Sequence, residues 1–217
     1  MNARLTEAFP RLMTRAGALI ATIRSCSTPR TMLILLGVLL AFAPAFVALN
    51  VQLGGVTPPE SMLGYSAEQA YRALDAEGDG GRRFHLLFEG IDLFLIPVYV
   101  MLYATVIAYT GERLFGRQGR VVTWGITIPL LAGFIDYVED AALVILLGTY
   151  PEHLIGLATI AGILTLAKSI FVYTGALLAL SGLLGLAGQK MLRLCQRRHQ
   201  GTNEIRRLDL PRPPLAA

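Results

Sequence analysis

Charge is scarce in this chain, and the scarcity is local. Only 16% of the 217 residues are Asp, Glu, Lys or Arg, against about 25% in an ordinary soluble domain. Most of that charge sits in the tails and connections, and long stretches carry almost none. Lysine is rarer still, with two residues against 17 arginines, the bias of a high-GC bacterial genome. Only two cysteines occur, Cys26 and Cys195. Both fall in predicted cytoplasmic tails, where thiols stay reduced, so no disulfide is expected. Cys195 and His199 have the spacing of half a zinc site, but no second pair completes it. No glycine-rich phosphate loop, nucleophile elbow or HExxH pattern is present. Apolar–polar alternation at period two is missing too, which argues against a membrane barrel.

What remains is apolar: 54% of the residues are hydrophobic and the mean hydropathy is +0.55. A helix crossing about 30 Å of hydrocarbon needs roughly 20 such residues. Four segments meet that length, at about 31–50, 85–110, 121–149 and 154–187. Backbone groups in lipid must bond internally, so each is expected to be helical. The expected architecture is all-α, an integral membrane four-helix bundle over residues 31–187. A basic tail (1–30) precedes it and a second basic tail (188–217), partly disordered around Leu210-Pro-Arg-Pro-Pro, follows.

Arginine and lysine in the flanks set orientation. The tail before the first span has five, the connection 111–120 has Arg113, Arg117 and Arg120, and the last tail has seven. The connection 51–84 balances Arg72, Arg82 and Arg83 against five acids, and the turn after the third span has none. All strongly basic segments lie on one side if both ends are cytoplasmic, so the expected location is a bacterial inner membrane. The charge needs no nucleic acid to explain it, despite a pI near 9.3, because no recognition motif accompanies it. Ala43-Pro44-Ala45 has the look of a signal-peptidase site, but the preceding basic region is too long and the apolar run is span-length. In the first tail, Phe9, Leu12, Met13, Ala16, Leu19, Ile20 and Ile23 share one helical face, with Arg11 and Arg15 on the other. That predicts an amphipathic helix on the inner leaflet over residues 8–23.

The outer connection contains Ser66-Ala67-Glu68-Gln69, a capping box. It predicts a short helix from Ala67 to about Ala76 that stops at Gly78. Small residues recur at Gly37, Ala41 and Ala45 on the first span. They recur at Gly175, Ala179, Gly182, Gly185 and Gly188 on the fourth. Both sets suit close helix contacts, within the bundle ahead of a homodimer. Pro44, Pro97 and Pro129 lie inside spans and free the carbonyls of Leu40, Leu93 and Gly125.

Ionisable residues inside the spans carry the functional question. Asp136, Glu139 and Asp140 are at i, i+3 and i+4, on one face of the third span. The second span carries Glu89 and Asp92, with Tyr99 and Tyr103 continuing that stripe. The fourth carries Lys168 beside Thr165 and Ser169. Counted from the outer ends at about 1.5 Å per residue, Asp136 and Lys168 reach similar depth, and Asp92 and Asp140 share the outer half. A Lys168–Asp136 or Lys168–Asp140 pair is therefore expected. Five acids against one lysine cannot all be ionised at close range, so at least one carboxyl would be neutral or hold a cation.

Three readings follow. The first is a structural network that fixes helix register or holds a membrane-protein partner. The second is a site for a proton, a cation or a polar lipid. The third is a membrane enzyme acting on a lipid-like substrate, with Tyr99, Tyr137 and Trp124 lining its pocket; an enzyme is not the first expectation. No cofactor is expected, and the expected partners are the lipid bilayer and, in the first reading, a second copy or another membrane protein. Elsewhere, Asp75-Ala-Glu77-Gly-Asp79-Gly80 starts like a calcium loop, but its twelfth position is Leu86 rather than an acid. His85 and Glu89, at i and i+4, could share a metal with His153 or Glu152, although no metal site is the first expectation.

The pattern Asp136-x-x-Glu139-Asp140, followed by Thr165-x-x-Lys168, resembles a loose group of uncharacterised bacterial four-span membrane proteins. Their third span often reads Asp-x-x-Glu-Asn. Gly80-Gly81-Arg82-Arg83-Phe84, Asp92 and Pro97 extend the resemblance over about residues 60–170. Asp140 stands where Asn is usual, which adds one acid to any shared site. The resemblance brings no activity with it.

Overall fold

The computed structural model describes residues 3–116 and 119–208; the side chains of residues 3–13, 46, 50, 194, 195 and 197–208 are outside that description. The face formed by Phe9, Leu12 and Met13, the pair Cys195 and His199, Arg117, and the tail from 209 onward therefore lie outside the described residues. Among those described, every regular element is helical. They are α1 (Ala3–Cys26), α2 (Pro29–Gln52), a single 3-10 turn (Pro59–Ser61), α3 (Ala67–Phe115), α4 (Arg120–Thr149) and α5 (Ile155–Leu208).

Local chemistry explains the boundaries. Thr28 caps α2 by accepting from the Thr31 amide, and Pro29 opens the helix, where its missing N–H costs nothing. Ser66 and Gln69 form the capping box at the start of α3. At Gly78 the backbone takes φ 65° and ψ 178°, a region essentially reserved for glycine. The helix breaks there and resumes at once, so α3 consists of a short first segment and a long second one. Arg82 bridges the break, donating to the Leu74 carbonyl at 2.7 Å, pairing with Asp79 and lying over the Tyr150 ring at 3.9 Å. The acids that began like a calcium loop thus face different partners: Asp75 accepts from the Tyr150 hydroxyl at 2.5 Å, and Glu77 meets His85.

α3, α4 and α5 pack together, with α2 against α3. One apolar layer joins Tyr71 and Leu74 of the short segment to Leu143 and Leu146 of α4 and Ala158 and Ala161 of α5. A second joins Leu102, Ala104 and Ile107 of α3 to Val122 and Ile126 of α4, Ala179 of α5 and Ile23 of α1. Arg24 of α1 pairs with Glu112 of α3 at 3.3 Å, which ties the N-terminal helix to the bundle.

Polarity is inverted relative to a soluble domain. Leu33, Phe94 and Trp124 are 69%, 74% and 71% exposed, while His85 and Glu139 are at 0%. Large apolar side chains face outward along α2, α3, α4 and α5, a distribution that water disfavours and lipid does not. Among the described residues, three helical segments are long and apolar enough to cross a membrane: Pro29–Leu49, Ala67–Phe115 and Ile155–Arg193.

Two packing expectations need correction. Gly37 and Ala41 are exposed on α2, and only Ala45 of that stripe packs inward. α2 meets the bundle through Met32, Leu35 and Leu39 at one end and Leu49 at the other, with Leu53 just beyond it packing on Phe88, so Gly37 and Ala41 do not serve an internal contact. On α5 the stripe does pack: a methyl on Gly182 would collide with Thr110, and one on Gly185 would press on Leu114, whereas Gly188 meets open space.

Candidate functional site

Lys168 is the hub of the buried cluster of ionisable residues. Its Nζ lies 3.0 Å from Asp136 Oδ1 and also pairs with Glu139 Oε2. Each carboxylate has its other oxygen held by a hydroxyl. Tyr99 donates to Asp136 Oδ2 at 2.6 Å, and Thr165 donates to Glu139 Oε1 at 2.6 Å. One residue of α3, two of α4 and two of α5 thus close a single network. Depth matching pointed Lys168 at Asp136 or Asp140; the structure gives it Asp136, and Glu139 takes the second position.

Asp140 and Asp92 stand apart from the lysine. Asp140 is buried, and its Oδ2 has no hydrogen-bond partner. Asp92 is half-buried on α3. Oxygen atoms of Asp92, Asp136 and Asp140 all lie within 4.8 Å of one another. Two full negative charges at that distance repel by at least about 3.5 kcal/mol at an effective dielectric near 20, and three pairs are present. Of the three, Asp136 is the one that Lys168 pairs with directly. A cavity of about 270 Å³ adjoins the cluster, lined by Asp92, Asp136 and Lys168 together with Tyr99, Tyr103 and Glu60. That volume corresponds to about nine waters, room for a hydrated cation or a small polar group.

A second cluster adjoins the first toward the start of α3. His85 is fully buried, with Nδ1 3.1 Å from both oxygens of Glu77. Its Nε2 faces Glu60 Oε2 at 3.1 Å and Glu89 Oε1 at 3.2 Å. Glu89 belongs here rather than with Lys168. In a straight helix, residues eight apart are separated by about 12 Å along the axis. The contact between Glu77 and His85 therefore exists because Gly78 breaks α3 between them. Tyr65, on the connection before α3, is buried beside Thr165 of the first cluster; burial pushes its phenol up, so it remains a neutral hydroxyl.

Other expectations change. His153 does not approach His85; it stacks on Tyr71 with ring centroids 4.0 Å apart. Glu152 contributes its carbonyl, which accepts from the Tyr71 hydroxyl at 3.3 Å. Trp124 faces outward and lines no part of the cluster. Tyr137 also points away from the acids beside it, and its hydroxyl donates to the Leu93 carbonyl at 3.0 Å. That is the carbonyl freed by Pro97, so Tyr137 completes a proline-broken helix rather than a pocket.

Glu60 and Glu77 were not anticipated as site residues. Glu60 sits in a proline-flanked turn, where no helical period places it, and nothing in its neighbours marks it. Glu77 stands out in the sequence only within the calcium-like start at Asp75, which fails at its twelfth position, and not as a partner of His85. No family model, no curated protein and no solved structure matches the chain, so its function is argued from its own residues.

Proposed function

We propose that the chain is a four-span protein of the bacterial inner membrane, with both ends cytoplasmic, that holds a proton or a hard cation between Asp92, Asp136 and Asp140. The spans are α2, the long segment of α3, α4 and α5, with α1 on the inner leaflet. The flanking arginines support the orientation, and the outward apolar faces support the membrane setting. Placing α4 across the bilayer brings its three acids to mid-depth, where carboxylates need partners.

One observation carries the reading. Three carboxylates converge within 4.8 Å, one of them with a buried oxygen that no donor reaches, and the adjacent lysine is already shared by Asp136 and Glu139. A purely structural network would balance its charges. This one is balanced on the Lys168–Glu139–Thr165 side and over-acidic on the Asp92–Asp140 side. The first half serves as a lock between α4 and α5, and the second half takes the ligand. An all-oxygen donor set selects hard ions such as sodium, calcium or magnesium, or a proton in their place.

Thermal unfolding in detergent across a pH series and a panel of hard cations tests this. Binding to the folded state raises the midpoint as ligand concentration rises. The wild type is expected to respond to at least one cation or to pH, and Asp140→Asn to lose that response while still folding. A wild-type midpoint indifferent to pH and to every cation overturns the reading in favour of a purely structural network.

A further inference from the structure

The second cluster has a different chemistry from the three aspartates. We infer that Glu60, His85 and Glu89 form a site for a divalent first-row transition metal of the zinc class, with Glu77 orienting the imidazole. The proposal does not depend on the cation reading above, because it rests on other residues and on a nitrogen donor.

The geometry at His85 is the first support. Nδ1 is held by Glu77, which leaves Nε2 as the working nitrogen. Nε2 is fully buried, lacks a hydrogen-bond partner of acceptable geometry, and yet faces two carboxylate oxygens at 3.1 and 3.2 Å. A neutral imidazole bonded through Nδ1–H would present a lone pair to two anions, which is repulsive. An imidazolium would present one N–H to two carboxylates, neither of them in line with it. A metal between the three groups removes both problems. Zinc bonds of about 2.0–2.1 Å at tetrahedral angles place ligand atoms about 3.3 Å apart, close to the two separations observed. The third ligand edge falls under the 4.8 Å limit that the three donors satisfy together.

The second support is the unused acceptor on Glu89. Its Oε2 is buried without a hydrogen-bond partner, and so are both oxygens of Glu60. Buried carboxylate oxygens are normally satisfied, and here the orphaned atoms belong to the two acids that converge on Nε2. The Glu77–imidazole contact matches the carboxylate–histidine–metal arrangement that fixes the tautomer of a metal ligand and raises its basicity. Imidazole with carboxylates suits zinc, iron(II) or manganese(II) better than magnesium or an alkali ion. Three protein donors also leave a coordination position open, as in catalytic rather than structural zinc sites.

The site is assembled from distant stretches of the chain. Glu60 comes from the turn after α2, Glu77 from the short first segment of α3, and His85 and Glu89 from its long segment. Metal binding would therefore pin the outer connection onto the bundle.

The test uses the full-length protein in detergent, stripped with a chelator and dialysed, then loaded with zinc(II), and in parallel with cobalt(II) for its visible spectrum. The expected result is one tightly held equivalent of zinc per chain, with cobalt absorption of a low-coordinate nitrogen–oxygen site. His85→Gln and Glu89→Gln should each abolish both. Glu77→Gln, which leaves all three ligands in place, should weaken zinc binding by about 10–100-fold. Asp140→Asn should bind zinc as the wild type does, which separates this site from the aspartate cluster. Wild-type protein that retains no zinc after dialysis overturns the proposal, leaving His85 as a buried cation shared by glutamates. So does zinc bound equally well by His85→Gln. If His85→Gln fails to fold, Glu60→Gln, on the half-buried turn, replaces it with the same two outcomes.

Discussion

Replacing Lys168 with methionine should be among the most damaging single changes in the protein. The ammonium holds Asp136 at 3.0 Å and pairs with Glu139, and both carboxylates are buried. Methionine has similar length and no charge, so the substitution strands two acids without opening a large cavity. Removing one partner of a buried pair costs about 3–5 kcal/mol, mostly because the other charge is left uncompensated. For a chain of this size each kcal/mol lowers the melting midpoint by about 2–4 °C, so a fall of about 6–20 °C is expected. A solvent-screened pair would be worth at most about 1 kcal/mol and would move the midpoint far less. The assay is loss of helical circular dichroism on heating in detergent. Asp136→Asn, Glu139→Gln and Lys168→Met together should recover most of the loss, because the whole set is then neutral. A Lys168→Met midpoint within about 2 °C of wild type would contradict the buried-pair argument, since that corresponds to no more than about 1 kcal/mol.

Further outcomes follow from individual contacts. Gly78→Ala forces a side chain onto φ 65° and should destabilise by about 1–3 kcal/mol, and zinc affinity should fall with it because Glu77 loses its approach to His85; a melting midpoint and zinc affinity both equal to wild type would contradict this. Tyr137→Phe strips the donor from the Leu93 carbonyl and should cost about 1 kcal/mol, read by thermal melting, with no change in the cation response. Orientation is checked with a membrane-impermeant thiol reagent on inverted and right-side-out vesicles. Exposed Cys26 should react only in inverted vesicles, and a cysteine placed at Glu152 only in right-side-out ones.

The helices were legible because hydropathy and caps are local properties. The runs 31–50 and 121–149 fall within α2 and α4, and Ser66–Gln69 starts α3 as its capping box implies. Rise per residue converts position into depth, which narrows the Lys168 partner to Asp136 or Asp140 but leaves the choice between them, and the contact to Glu139, to helix rotation. What stayed hidden depends on rotation and on chain reversals. Tyr137 follows Asp136 directly, yet one residue turns about 100° around a helix, enough to send it to the Leu93 carbonyl. The outward stripe on α2 reads like the packed stripe on α5, and only the neighbours distinguish Gly37 from Gly182. Glu60 and Glu77 reach His85 through a turn and through the break at Gly78, and no periodic pattern encodes either.

The central claim, that the three aspartates hold a proton or a cation, is tested most directly by infrared difference spectroscopy of the detergent-solubilised protein. At neutral pH without added hard cations, the account predicts the carbonyl stretch of a protonated carboxylic acid. That band should diminish when the bound cation is supplied, and it should be missing in Asp140→Asn. If the wild type shows no such band and no spectral response to any cation, the aspartates are neither protonated nor ligating, and the account is wrong.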